Sequence, residues 1–166
     1  MILVTLGTND KQFTRLLDAV ENACKNGLIQ DEVIVQSGFT KYESKYMKVF
    51  PYLDRNEFTK YIQTADLVIC HGGVGTIMTA LNAKRKILAA ARLEKYGEHV
   101  NDHQIQLLEA FEERGFLVYM KDLDQIGTYL EQIKTFQPKS YESNTDHMVS
   151  LIETWIEEHV STTPHL

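Results

Sequence analysis

Leu67-Val68-Ile69-Cys70-His71-Gly72-Gly73-Val74-Gly75-Thr76-Ile77-Met78 is the stretch that decides the fold. Four apolar residues run unbroken into His-Gly-Gly-Val-Gly-Thr, and a helix-like apolar pattern follows. A strand covered on both faces reads as such a continuous run, without alternation. The glycines then supply a tight turn, and the residues after them open a helix whose first N–H groups lack intrahelical partners. A strand–turn–helix corner of this kind favours an anion, above all a phosphate or diphosphate, at the helix N-terminus. His71 either adds a donor to that anion or only caps the strand. The glycines either admit a ligand or only permit close packing, and the stretch alone leaves both alternatives open.

Outward from it the chain alternates strand and helix patterns. Apolar runs at Ile2–Leu6, Val33–Gln36, Leu67–Cys70, Ile87–Ala91 and Phe116–Met120 read as buried strands, with a shorter one at Val49–Phe50. Phe13, Leu16, Leu17 and Val20 form a helical stripe, as do Gln104, Leu107, Leu108 and Phe111. Phe58, Tyr61 and Ile62 mark another helix, and Leu123–Thr135 a further one. Repeated βα units imply an α/β, Rossmann-like parallel sheet with helices on both faces. Residues 1–160 read as a single domain, closed by an amphipathic helix over His147–Val160 with Val149, Ile152, Trp155 and Ile156. Ser161–Leu166 reads as a flexible tail.

The 166 residues suit one domain with a sizeable core. A net charge of -6 and a pI near 5.5 argue against general nucleic-acid binding, which calls for a basic face. No apolar run approaches the roughly twenty residues of a membrane span, and Met1 opens no signal-peptide pattern. Cys24 and Cys70 read as reduced core residues of a cytoplasmic protein. Lys84, Arg85 and Lys86 read as a solvated helix end.

Ligands of such sheets bind beyond the carboxyl ends of the strands. Three loops converge there: Gly7-Thr8-Asn9, His71–Thr76, and Arg92–Gln104. In the third, a helix beginning at Asn101 places Gln104 at the open end of an apolar stripe, where an amide can read ligand hydroxyls. Asn101 and Gln104 also have the spacing of a capping box, so both uses stand. Glu98, His99, Asp102 and His103 lack the tight spacing of a zinc site, and neither metal nor cofactor is expected.

Three segments carry a family resemblance. They are Leu3-Val4-Thr5-Leu6-Gly7-Thr8 with Phe13 and Arg15-Leu16-Leu17, then Ala65–Thr76, then Tyr96-Gly97-Glu98-His99-Val100-Asn101-Asp102-His103-Gln104. The chain resembles the C-terminal, donor-binding domain of MurG-like glycosyltransferases of family 28, one half of a two-domain GT-B enzyme. More narrowly it is similar to the PssE-type subunit of bacterial capsule and exopolysaccharide synthesis. The resemblance implies that His71, Gly72, Gly73, Gly75 and Thr76 hold a donor diphosphate, with Gly7 and Thr8 nearby. It implies that His103 and Gln104 contact the donor sugar, and that Glu98 and Asn101 support that loop or touch the nucleotide sugar. Charge developing on the diphosphate as the anomeric bond breaks would be met by oriented N–H groups.

The sequence departs from the family at two positions. Thr79 stands where the family usually has a ribose-binding carboxylate, leaving Thr79 as the candidate ribose contact, and Ala91 stands where proline usually precedes Arg92. Lys84 and Lys86 also replace the small residue and proline common after this helix. The resemblance further implies a UDP-sugar donor (a hexose, galactose first), an acceptor saccharide on a polyprenyl diphosphate, and a membrane-associated partner chain. That partner would carry the acceptor-binding half and the catalytic base, and would recruit this protein to the inner membrane face. Two rival functions are a non-catalytic subunit that enhances a partner transferase and a dinucleotide-dependent oxidoreductase. Against the second, Gly72-Gly73-Val74-Gly75 lacks the Gly-x-Gly-x-x-Gly spacing.

Overall fold

The computed structural model describes residues 1–141. The helix expected over His147–Val160 and the tail Ser161–Leu166 lie outside the described residues. Six strands form one parallel sheet: β1 (Ile2–Thr5), β2 (Val33–Gln36), β3 (Lys48–Phe50), β4 (Leu67–His71), β5 (Lys86–Ala90) and β6 (Val118–Tyr119). The helices are α1 (Thr14–Lys25), α2 (Arg55–Thr64), α3 (Val74–Asn82), α4 (His103–Glu113) and α5 (Ile126–Thr135). This is the Rossmann-like architecture read from the sequence.

The order across the sheet is β3-β2-β1-β4-β5-β6. The chain therefore builds outward from β1 in one direction, returns to the middle, and builds outward from β4 in the other. Loops leaving β1 and β4 diverge to opposite sides, which opens a crevice at their carboxyl ends. The register keeps those ends level, with Thr5 opposite both Gln36 and Cys70.

Successive strand residues point to opposite faces, and both faces are covered. Ile2, Val4, Val35, Ile69 and Leu88 pack under α1 and α5, against Leu16, Leu17, Val20, Leu130 and Ile133. Leu3, Ile34, Val68, Ile87 and Ala89 pack on the other side against Ile62, Ile77, Leu81 and Leu108 of α2, α3 and α4. Cys24 and Cys70 are free thiols, and burial pushes the Cys70 thiol up to about 12.

Three details differ from the sequence reading. β4 continues through His71, so the imidazole is carried by a strand end and not by the turn. α4 begins at His103 instead of Asn101, because the Asn101 side chain takes the His103 N–H (3.2 Å) and Asp102 takes the Glu94 N–H (2.8 Å). Residues 101 and 102 are thus spent on a turn tied to the preceding loop. The basic run is not merely solvated: Lys86 Nζ donates to the Ile133 and Lys134 carbonyls at the end of α5 (2.9 and 2.7 Å), and Arg85 donates to Ala65 O (3.1 Å).

Ile69, fully buried in the central strand, should set the stability of the corner above it. Ile69→Ala is expected to cost about 3 kcal/mol in urea unfolding, the usual range for deleting a buried aliphatic group being roughly 2–5. A loss below about 1 kcal/mol would contradict this packing.

Candidate functional site

The switch point between β1 and β4 holds Gly7 and His71 side by side. His71 is 9% exposed, and its Nδ1 lies 3.4 Å from the Thr5 carbonyl. Gly7 sits at φ +69°, a conformation that favours glycine, and a methyl group there would stand 2.5 Å from His71 Cε1. A methyl group at Gly73 would overlap His71 Nε2. The imidazole therefore occupies a slot that exists because both neighbours lack side chains. Gly72 serves Gln104 in the same way, since a methyl group there would come 2.9 Å from Gln104 Cβ.

Gly75 is different. It lies in the first turn of α3, exposed, with no described residue within 4 Å of where its Cβ would be. Position 73 is the N-cap of α3 and no side chain caps the helix, so its first N–H groups open toward the crevice. Thr76 is half-buried beside them, and Thr8 is exposed on the loop after β1. Thr79, one turn further, is exposed and donates its hydroxyl to Gly75 O at 2.7 Å. It keeps acceptor capacity only.

The third loop closes the other side. Gln104 Oε1 accepts from the Arg92 N–H at 3.0 Å, which leaves its amide NH2 free of any protein acceptor among the described residues. No capping box forms: Asn101 N lies near His99 Nδ1 (3.4 Å), and Gln104 turns toward Arg92 and Gly72. His103 is exposed. Glu98 is 4% exposed and forms a bidentate pair with Arg15 (2.8 and 2.9 Å), while Oε2 also accepts from Leu93 N (3.0 Å). Of its two readings, the geometry provides the partners of a loop support. Among the described residues no cluster of three or more His, Cys, Asp or Glu could hold a metal.

Sequence reasoning missed several contributors. Arg92 and Arg15 received no role, although an arginine ending the apolar run Ile87–Ala91, with Glu98 six residues on, was a visible signal. The loops after β2 and β3 also reach this edge: the Gly38 backbone packs against Gly7 O, Thr40 Oγ1 accepts from Phe13 N (3.0 Å), and exposed Phe39 and Tyr52 meet edge to face at 6.0 Å. An open groove of about 830 Å³ between α1 and the turn before α5 shares Arg15 and Tyr96 with this network, but not His71 or Gln104.

A parallel sheet in this order, with an uncapped helix N-terminus and a glycine-walled histidine at its switch point, defines a Rossmann-like α/β domain whose ligand crevice lies at the carboxyl ends of β1 and β4. The chain belongs to the glycosyltransferase family 28 C-terminal domain family, whose profile matches residues 1–155. It is similar to the UDP-N-acetylglucosamine transferase subunit ALG13 of Candida albicans, at 21% identity over 90 residues, covering 53% of this chain and 29% of that protein. It is also similar to the solution structure of ALG13 (TM-score 0.58, 17% identity, 92% of this chain and 94% of that one). MurG of Acinetobacter baumannii follows (0.56, 18%, 92% and 49%), with the calicheamicin glycosyltransferase CalG4 (0.55, 15%, 95% and 38%). These structural neighbours are GT-B glycosyltransferases, and at such identities they speak to fold alone. The chain spans less than a third of the curated relative it matches.

Burial, then the nearby Arg92 and His99, push the His71 pKa down from 6.5 to about 4, against a smaller upward effect of the Thr5 carbonyl. The imidazole is thus neutral at pH 7. As pH falls below 6.5 the unfolded chain takes up a proton that the folded chain refuses until about 4. Stability should therefore fall across that window and level off beneath it, by an upper bound of roughly 3 kcal/mol. Urea midpoints at pH 7 and 4.5 should show a smaller acid loss in His71→Asn than in wild type. Equal losses would remove His71 from the titration.

Proposed function

We propose that this domain binds a nucleotide-sugar donor at the switch point and serves as the donor-binding, catalytic subunit of a two-chain hexosyltransferase. The observation that carries this reading is the opening of α3: an uncapped helix N-terminus, an exposed glycine in its first turn, and a histidine beside it, all at the crevice. A diphosphate there would meet backbone N–H groups from Val74, Gly75 and Thr76, with His71, Gly72, Gly73, Gly7 and Thr8 forming the wall. The free amide of Gln104, with His103 and Asn101, would face the donor sugar, and Thr79 would accept from a ribose hydroxyl. Family 28 membership supports a transferase, and a relative named as a UDP-N-acetylglucosamine transferase subunit supports both uridine and a partner.

The finer reading is a UDP-hexose, galactose first, transferred to a saccharide on polyprenyl diphosphate in exopolysaccharide or capsule synthesis. A membrane-associated partner would bring the acceptor half and the general base. Glu98, committed to Arg15 and Leu93, is not free to act as that base. Among the described residues no helix is long and apolar enough to cross a membrane, so contact with a lipid-linked acceptor is assigned to the partner.

Calorimetric titration with UDP, UDP-galactose, UDP-N-acetylglucosamine and NAD should show weak binding of the uridine nucleotides and none of NAD. Preference for NAD would overturn the donor reading. Gly75→Ala supplies a second test, because fold and ligand respond oppositely. The substitution should stabilise α3 by about 0.5–1 kcal/mol, since its Cβ enters open space. It should also weaken UDP, because that space is where the diphosphate lies. Greater stability with unchanged UDP affinity would place the anion elsewhere.

A further inference from the structure

The loop from Gly7 to Gln12 has few bonds of its own. Gly7 N–H lies 3.5 Å from Thr5 Oγ1, Lys11 N–H donates to Asn9 Oδ1 at 2.8 Å, and Gln12 Nε2 donates to Phe39 O at 2.8 Å. Both ends of the loop are held from beneath by one side chain. Arg92 Nη2 donates to Leu6 O (2.9 Å), just before the loop, and Nη1 donates to Lys11 O (2.9 Å) at its far end. Nη1 also lies 3.4 Å from Gln12 O and from Glu98 O. The guanidinium packs on Phe13 with 5.0 Å to the ring centroid. The backbone N–H of the same residue holds Gln104 Oε1.

This arginine is 1% exposed, and its buried Nε has no hydrogen-bond partner among the described residues. Burying a guanidinium with an orphaned donor is costly, and an apolar side chain of similar volume would fill the space at lower cost. Packing therefore does not account for it. Its geometry does: two carbonyls at opposite ends of a loop, and a third from the loop after β5, require a rigid fork of several donors, which a lysine ammonium cannot supply at once.

We infer that Arg92 is a positioning residue of the switch-point site, pinning the Gly7–Lys11 loop and Gln104 against His71 and holding a fixed positive charge near the bound anion without touching it. The inference rests on the donor reading above. Burial keeps the side chain out of reach of any ligand, so its effect passes through the loops and through its field. That field reaches the site, since Arg92 is one of the groups holding the His71 pKa down. Burial pushes the guanidinium's own pKa down, and the acidic groups Glu98, itself shared with Arg15, and Asp10 act against that shift.

The test uses the full chain, as wild type, Arg92→Lys and Arg92→Gln, with backbone amide relaxation and UDP titration followed by NMR. Amides of Gly7–Lys11 in the wild type should have order parameters close to those of β1, about 0.85, without ligand. Arg92→Lys should loosen the loop and weaken UDP by about tenfold or more, the loss of charge-assisted bonds being worth about 1.5–3 kcal/mol and each 1.4 a factor of ten. Arg92→Gln should weaken UDP further, because the charge goes as well. Wild-type UDP affinity in Arg92→Lys overturns the positioning role alone. Wild-type order parameters below about 0.6 in the loop overturn it too, with no variant needed. A wild-type chain that binds no uridine nucleotide overturns the donor reading, and with it this role.

Discussion

The pairing of β1 with β4 is the constraint on which the carboxyl edge depends. These strands are neighbours at the centre of the sheet, although 60-odd residues of chain separate them, and the chain leaves them toward opposite sides. Their level ends bring Thr5 O within 3.4 Å of the His71 ring and put Gly7 and Gly73 on either side of it. Three of the conspicuous glycines serve protein side chains: Gly7 and Gly73 clear space for His71, and Gly72 clears it for Gln104. Of the four glycines in the turns after β1 and β4, Gly75 is the one that faces open space among the described residues, so it separates close packing from ligand approach.

The second layer of the site is electrostatic. Arg92 and Arg15 converge on the loop after β5, where buried Glu98 takes the bidentate pair with Arg15 and lends its carbonyl to Arg92. Such a buried network contributes little net stability, because desolvation offsets much of the attraction. What it fixes is geometry: the loop after β1, the loop after β5 and the start of α4 share it. Of its charged groups Arg92 and Glu98 are buried and Arg15 is half-buried, and the His71 imidazole beside them is neutral at pH 7. A diphosphate entering the crevice would find donors already oriented, which is how charge developing on a leaving group is stabilised without reorganisation.

Much of the fold was legible because a doubly covered parallel strand leaves an unmistakable apolar run. Val33–Gln36 was found with its observed limits, and the other strands within two residues at either end. The helix boundary at Asn101 was not legible, since Asn101 and Asp102 can start a helix or fold a turn, and their bonds to His103 and Glu94 depend on where the loop lies. The capping-box spacing of Asn101 and Gln104 misled for the same reason: Arg92 and Gly72, distant in sequence, claim Gln104. Residues adjacent to glycine turns announced themselves. Those acting through long-range bonds did not, and Arg92, which reaches Leu6 and Lys11 more than eighty residues away, is the clearest case.

The central claim is that the opening of α3 holds the diphosphate of a nucleotide sugar. The most direct measurement is an amide chemical-shift map of the labelled protein titrated with UDP. The largest shifts are expected at Gly72–Thr76, with Gly7, Thr8 and Gln104 next. Shifts centred instead on Asn22, Asp122 and Thr128, in the groove between α1 and the turn before α5, would contradict the claim.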